Sequence, residues 1–167
     1  MFLKQLSKLK KEDLVYLDES GFDQTLSNPY ARAPRGQQII ADVSGKFRKR
    51  VSMVSAYCQN RFLAPMHFEG YCNTELFNEW LEKMLIPKLR KGQTVILDNA
   101  SFHKSKKTVE LIESVGCHIL FLPPYSPDFN PIENAWANIK RIVRNIHSID
   151  ACLISSIEKA FNTFQPI

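Results

Sequence analysis

A short apolar run that ends on an acid constrains the fold of this chain most strongly. Residues 95–97 are Val-Ile-Leu, and Asp98 follows them directly. Consecutive apolar residues predict a strand that is covered on both faces, as in a parallel sheet. The carboxyl end of such a strand is where open α/β sheets bind ligands. Asp98 is therefore a candidate site residue, although an Asp that caps the next helix would give the same pattern.

Composition and charge indicate one globular domain with a polyanionic partner. The chain has 167 residues, of which 44% are hydrophobic and 23% charged, and this is ordinary for a folded domain. Its formal net charge is +5, and such a charge favours binding to a polyanion.

The cysteine spacing excludes the common zinc and disulfide frameworks. No C-x-x-C pair occurs among the four cysteines, Cys58, Cys72, Cys117 and Cys152. The amino terminus lacks the apolar centre of a signal peptide, and no apolar run approaches the length of a membrane span. We therefore expect a cytosolic protein with reduced thiols and no membrane partner.

A second apolar stretch also runs into acids. Residues 14–17 lead to Asp18 and Glu19, whose side chains should point to opposite faces of a strand. Only one of them can join Asp98, and we assign that role to Asp18. The alternative is an acid that forms a turn before Ser20.

The remaining segments predict a mixed α/β sheet. Further strands are expected at 38–43, 51–57, 61–68 and 117–122. Helices are expected at 73–89 with Asn73 as its cap, at 104–115 with Gly116 at its end, from 131 onward, and at 149–163. The strand–helix–strand order after residue 94 implies a parallel crossover. Residues 1–13 are interpreted as a solvated terminal helix or the end of a linker, and 14–167 as one domain.

A proline-rich connector delivers the chain to a helix that carries Glu133. Four prolines occur between residues 123 and 131, with Asn130 as the expected N-cap and Pro131 at the first helical position. Glu133 then lies in the first turn, where a capping box is the simplest explanation of an acid. Glu133 also shares a helix stripe with Lys140 and Arg144, however, which favours a phosphate-binding surface.

A cluster of cations lies near the middle of the chain. Lys46, Arg48, Lys49 and Arg50 surround a single Phe, and the run either binds phosphates or is the charged tip of a hairpin.

Three separated acids suggest metal chemistry if the strands that carry them are neighbours. Packed carboxylates repel one another unless a cation joins them, and Mg²⁺ or Mn²⁺ suits oxygen ligands. Two such ions can stabilise an in-line phosphoryl displacement. The chain has no Walker loop and no G-x-G-x-x-G motif.

Three blocks of the sequence resemble the catalytic blocks of DDE transposases, above all the insertion-sequence 630 family of the mariner superfamily. They are LDESGF at 17–22, LDNASFH at 97–103, and LPPYSP followed by NPIENAW within 122–136. Between Asp98 and Glu133 lie 34 residues, the spacing of that superfamily.

The resemblance implies a ribonuclease H-like fold with three antiparallel strands, two parallel strands and helices on both faces. It implies that Asp18, Asp98 and Glu133 bind two Mg²⁺ or Mn²⁺ ions, and that the protein cleaves DNA at element ends and joins the freed 3′-hydroxyl to target DNA. It also implies a homodimer in the DNA complex, in a bacterial cytoplasm near the nucleoid.

One departure from the family keeps alternatives open. The helix-turn-helix domains that usually recognise element ends are not found in these 167 residues, so a separate helix-turn-helix polypeptide is one expected partner. The alternatives are a truncated, catalytically silent DNA-binding or regulatory remnant, and a stand-alone ribonuclease H-like nuclease. His103 either orients water or phosphate near Asp98, or packs or hydrogen-bonds within the strand-to-helix turn, and we favour the second role.

Overall fold

A five-stranded mixed sheet forms the centre of the computed structural model, which describes residues 2–23, 50–124, 129–147 and 152–164. The strands are β1 (Leu14–Asp23), β2 (Arg50–Cys58), β3 (Arg61–Phe68), β4 (Thr94–Leu97) and β5 (His118–Phe121). Their order is β3-β2-β1-β4-β5. The β1–β2 and β2–β3 pairs are antiparallel, whereas β1–β4 and β4–β5 are parallel. The predicted mixed sheet is therefore confirmed, while the strand expected at 38–43 lies outside the described residues.

The described ranges contain five α-helices, which surround the sheet. They are α1 (Phe2–Leu6), α2 (Thr74–Trp80), α3 (Lys106–Ser114), α4 (Pro131–Ile146) and α5 (Leu153–Phe164). Asn73 caps α2 as predicted, because its side chain accepts a hydrogen bond of 2.8 Å from the Leu76 N–H. After Trp80 the helix widens into a π-helical turn, Leu81–Leu85, and ends in a 3₁₀ turn, Ile86–Lys88.

Alternation along β1 supplies both layers of the core. Val15 and Leu17 pack on one face with Phe77 and Trp80 of α2 and Ile112 of α3; we call this the α2–α3 face. On the opposite face, which we call the α4–α5 face, Phe22 packs against side chains of the other two helices, including Ile132, Trp136, Ile157 and Phe161. Helices therefore cover both faces, as a ribonuclease H-like fold requires.

The amino-terminal helix differs from the prediction. It ends at Leu6 and is not solvated on all sides, because Phe2 is only 9% exposed and joins Leu14, Ile96 and Leu122 in a small apolar cluster. The Phe2 ring lies 5.9 Å from that of Phe129, centroid to centroid. The free energy gained by burying the Phe2 side chain explains why this helix packs on the domain, although the lysines around it indicated a solvated helix.

The start of α4 also departs from the expectation in one detail. Pro131 occupies the first turn as predicted, but the Asn130 side chain makes no capping hydrogen bond. Its Oδ1 is buried and has no partner in the described part of the chain. The proline itself is therefore the stronger local signal for where the helix begins.

Two absences apply to the residues that the structure describes. None of the helices in these ranges has the length and apolar character needed to cross a membrane. All four cysteines of the chain lie in these ranges as free thiols.

Candidate active site

The sheet topology places Asp18 and Asp98 on neighbouring strands. β1 and β4 run parallel with Tyr16 opposite Ile96, and each aspartate lies two positions further along its own chain. The carboxyl ends of parallel neighbours meet at one edge of the sheet. The condition that the sequence left open, adjacency of these two strands, is thus fulfilled.

Asp18 lies on the α4–α5 face, because it alternates with Tyr16 and Phe22 along the strand. Burial raises the pKa of its carboxyl from 3.8 to about 7, and the negative charge of Glu19 adds to this effect. The charges of Glu133 and Asp98 raise the Asp18 pKa further. Three acids from β1, α4 and the end of β4 therefore share one electrostatic environment.

Glu133 lies in the first turn of α4 and is exposed. No hydrogen bond joins its carboxylate to the backbone N–H of Asn130, although both residues are described; only the Glu133 N–H donates, to the Asn130 carbonyl at 3.1 Å. The capping box is therefore not formed. A carboxylate that interacts with Asp18 and caps nothing is free for another role.

The donor chemistry of the three acids fits a hard divalent cation. All are carboxylates, and their mutual repulsion is the penalty that a bound cation removes. Within the described ranges, however, no group of three His, Cys, Asp or Glu residues is arranged tightly enough to hold a metal ion. The three carboxylates thus influence one another through their charges, but they are not arranged as ligands around a single metal ion.

His103 links Asp98 to an acid that the sequence analysis set aside. Its Nδ1 lies 2.6 Å from Asp98 Oδ1, and its Nε2 lies 3.0 Å from Glu19 Oε1. The role favoured from sequence, hydrogen bonding within the turn, is confirmed for Asp98. The contact with Glu19 was not predicted, although the expected alternation of Asp18 and Glu19 already directed Glu19 to this side of the sheet.

Charge dominates the chemistry of this buried imidazole. Burial lowers the pKa of His103, but the hydrogen bonds and negative charges of Asp98 and Glu19 outweigh burial and raise it to about 9. The His103 hydrogen bond in turn lowers the pKa of Asp98. An imidazolium that donates from both nitrogens to two carboxylates accounts for both shifts.

Two of the predicted phosphate-binding cations lie along α4. The Lys140 ammonium sits over the Phe22 ring, 5.6 Å from its centroid. Burial lowers the Lys140 pKa, Arg144 and Arg50 act in the same direction, and Asp18 opposes them. Lys140 therefore connects the cationic stripe of α4 with the acidic site, while Arg144 is exposed further along the helix.

Arg50 is the one residue of the basic run that the structure describes, since Lys46, Arg48 and Lys49 lie outside the described ranges. Arg50 is exposed at the start of β2, and its guanidinium lies against Gly21. A Cβ at position 21 would come within 2.4 Å of an Arg50 nitrogen, so only glycine leaves room for this placement.

Comparison with known proteins identifies the family. The family model of DDE superfamily endonucleases matches residues 13–152. This chain belongs to that family. The resemblance to DDE transposases read from the three sequence blocks is thereby confirmed.

Individual relatives agree with this assignment. The chain is 40% identical over 63 residues to the transposable element Tc3 transposase of Caenorhabditis elegans, an alignment that covers 38% of this chain and 19% of that protein. The fold is similar to the Mos1 transposase paired-end complex with left transposon end, at a TM-score of 0.66, 13% identity, and 98% coverage of this chain against 56% of that one. The catalytic domain of Mos1 mariner transposase gives a TM-score of 0.64 at 15% identity, with coverages of 98% and 74%. The chain thus spans only part of the Tc3 protein and about half of the Mos1 chain in its complex.

Proposed function

We propose that this chain is the catalytic domain of a DDE transposase of the mariner superfamily, in its insertion-sequence 630 branch, which cleaves DNA and transfers strands with divalent metal ions. The observation that carries the proposal is the shared electrostatic environment of Asp18, Asp98 and Glu133. These residues come from three distant parts of the sequence, and each lies in one of the three blocks that resemble those of DDE transposases.

The three carboxylates would hold two Mg²⁺ or Mn²⁺ ions. The Mos1 mariner paired-end complex has been solved both with Mn and with Mg, and this supports the choice of ions. Bound ions of this kind activate a water and stabilise the entering and leaving oxygens of a phosphoryl displacement. The residues of the chain contribute the ligands and their spacing.

The proposed reaction has two steps, cleavage and strand transfer. In cleavage, the oxygen of water bonds to phosphorus, the bond from phosphorus to the 3′ oxygen breaks, and that oxygen takes a proton to become a 3′-hydroxyl. In strand transfer, this hydroxyl bonds to a target phosphorus, its proton is released, and the displaced 3′ oxygen of the target takes up a proton.

DNA would lie along α4, across the site. Lys140 and Arg144 are cations of the helix that carries Glu133, Arg50 lies against Gly21 of β1, and Lys46, Arg48 and Lys49 precede Arg50 in the sequence. Cations at these positions would neutralise phosphates on either side of the scissile bond. We also propose a homodimer on paired element ends, with end recognition supplied by a helix-turn-helix polypeptide, in a bacterial cytoplasm.

A nicking assay on supercoiled plasmid in Mn²⁺ tests the enzyme. The wild-type chain should convert plasmid to the open circle, and Asp98→Asn should not. Glu110→Gln is the matched control, because Glu110 is an exposed acid of α3 whose partner is Lys106, at 3.5 Å. Equal inertness of wild type and Asp98→Asn would favour a silent remnant.

A joining assay separates transposase from nuclease. A duplex oligonucleotide with a pre-cut 3′-hydroxyl end should become covalently linked to the plasmid in the presence of wild-type chain and Mn²⁺. Nicking without any joined product would favour the stand-alone nuclease.

A further inference from the structure

His103 is the one imidazole in the described chain that lies between two carboxylates. Its side chain is 0% exposed, whereas the side chain of Asp98 is 47% exposed and that of Glu19 is 20% exposed. The rings of Phe77 and Phe102 lie 4.5 and 4.3 Å from it, centroid to centroid. The buried His103 side chain is thus held in place by its surroundings, and it hydrogen-bonds to the solvent-accessible Asp98.

The two oxygens of Asp98 are not equivalent. Oδ1 accepts hydrogen bonds from His103 Nδ1 at 2.6 Å and from the Ala100 N–H at 2.8 Å. No described residue donates a hydrogen bond to Oδ2. Two donors on one oxygen fix the plane of the carboxylate, and they leave the other oxygen available to a ligand.

Direct backbone pairing between β1 and β4 stops short of the two aspartates. The parallel ladder ends at the pair Tyr16 and Ile96, before either aspartate is reached. Beyond it, the side-chain bridge from Asp98 through His103 to Glu19 links the segment after β4 to β1. Because Glu19 follows Asp18 directly, this bridge ties Asp98 to the strand that carries Asp18.

From this geometry we infer that His103 is a positioning residue, which holds Asp98 Oδ1 and anchors it to Glu19 so that Asp98 Oδ2 and Asp18 are presented together to the metal. The inference rests on the proposed function above and extends it to two residues, His103 and Glu19, outside the acidic triad. Groups that hydrogen-bond to metal ligands change metal affinity or activity by about 10- to 100-fold when they are replaced.

Two amide replacements of His103 give a matched test. In His103→Asn the amide nitrogen can occupy the place of Nδ1 and still donate to Asp98, whereas in His103→Gln the longer side chain brings its amide nearer to the place of Nε2 and Glu19. The readout is the Mn²⁺ concentration at the midpoint of the rise in melting temperature, measured without DNA. We expect His103→Gln to raise this midpoint by at least about tenfold and His103→Asn to raise it clearly less.

A metal-free measurement complements the titration. In ¹⁵N NMR spectra of the wild-type chain without metal, both ring nitrogens of His103 should carry protons that exchange slowly with water. Glu19→Gln should shift the Nε2 signal more than the Nδ1 signal, because it changes only the acceptor at that end of the bridge.

The outcomes separate this inference from the proposed function. A wild-type chain that neither binds Mn²⁺ nor cuts DNA overturns the proposed function and the inference with it. Wild-type binding with equal midpoints for His103→Asn and His103→Gln overturns the inference alone. If both variants fail to fold, Glu19→Gln decides: an unchanged Mn²⁺ midpoint in that variant contradicts the bridge, and a raised one supports it.

Discussion

Two adjacent acids on β1 experience opposite surroundings on the two faces of the sheet. On the α2–α3 face, Glu19 accepts a hydrogen bond of 3.0 Å from the buried His103. On the α4–α5 face, burial raises the pKa of Asp18 to about 7, and the negative charges of Glu19, Glu133 and Asp98 add to this effect. Glu19 is paired with a positively charged side chain of the fold, His103, whereas Asp18 has too little positive charge around it to offset its burial. An acid of the second kind costs stability unless a ligand supplies the missing charge, so Asp18 is the better candidate for binding a cation.

The strongest test of this difference replaces each of the two acids in turn by its neutral amide. Asp18→Asn should lower Mn²⁺-dependent nicking by at least about 10²- to 10³-fold, the range for loss of a group that stabilises charge in the transition state. Glu19→Gln should cost about tenfold or less, because it acts on Asp98 only through His103. Initial rates on supercoiled plasmid measure both. Equal losses in the two variants would contradict the distinction between a ligand and a supporting residue.

The next largest effect concerns stability without metal. The folded-state pKa of Asp18, about 7, lies above the ordinary value of 3.8, so the folded chain binds this proton more tightly than the unfolded chain. The Asp18 contribution to the free energy of unfolding should therefore fall as pH rises from about 4 to about 7. Asp18→Asn should then be more stable than wild type at pH 8, by up to a few kcal/mol at about 1.4 kcal/mol per pKa unit.

Urea unfolding at pH 4 and pH 8 measures this difference. The advantage of Asp18→Asn should disappear at pH 4, where the wild-type acid is protonated, and Mn²⁺ should stabilise wild type alone. A variant that is less stable than wild type at pH 8 would show that Asp18 makes a favourable interaction that the charges around it do not reveal.

On the α2–α3 face, His103 should also lose its contribution to the free energy of unfolding as pH rises, but this loss comes from a cation that is deprotonated. The pKa of His103 rises from 6.5 to about 9, so its contribution to stability is complete below pH 6.5 and is lost as pH rises from 6.5 to about 9. His103→Asn should lack this pH dependence. Urea unfolding of both proteins at pH 6 and pH 9.5 gives the comparison, and parallel profiles would show that the imidazole is not charged in the folded chain.

The smallest effect is expected for the cations. Arg144→Ala, on the α4–α5 side with Asp18, should weaken binding to duplex DNA and reduce the salt slope by about 1. Lys107→Ala is the matched control from α3, where the Lys107 ammonium lies 3.2 Å from Glu82. Fluorescence anisotropy at several salt concentrations measures both slopes. A larger change for Lys107→Ala would place the DNA on the other side of the sheet.

Much of the fold follows from local patterns in the sequence. The period-two alternation that separated Asp18 from Glu19 is a backbone property, and the structure retains it through β1. Asn73 caps α2 as expected, and Gly116 after α3 has a φ of +73°, the conformation that favours glycine at a helix end. Each of these features depends on residues a few positions apart, so no tertiary information was needed to predict it.

The features that the sequence did not predict depend on distant partners. His103 and Glu19 are 84 positions apart, and no local rule connects them. The π-helical turn Leu81–Leu85 interrupts what the apolar stripe predicted as one regular helix. Phe2 is buried because Ile96 and Leu122 offer it an apolar surface, which the lysine-rich sequence around it does not indicate.

The absence of a side chain at Gly21 gives a way to move a charge without removing it. The atoms that a Cβ at this position would meet belong to the far end of the Arg50 side chain, which is flexible and can turn aside at little cost to folding. An alanine at position 21 would thus leave the net charge of the chain at +5 and relocate one guanidinium. Such a variant separates the amount of positive charge beside the acids from its placement, whereas replacing the arginine by a neutral residue changes both.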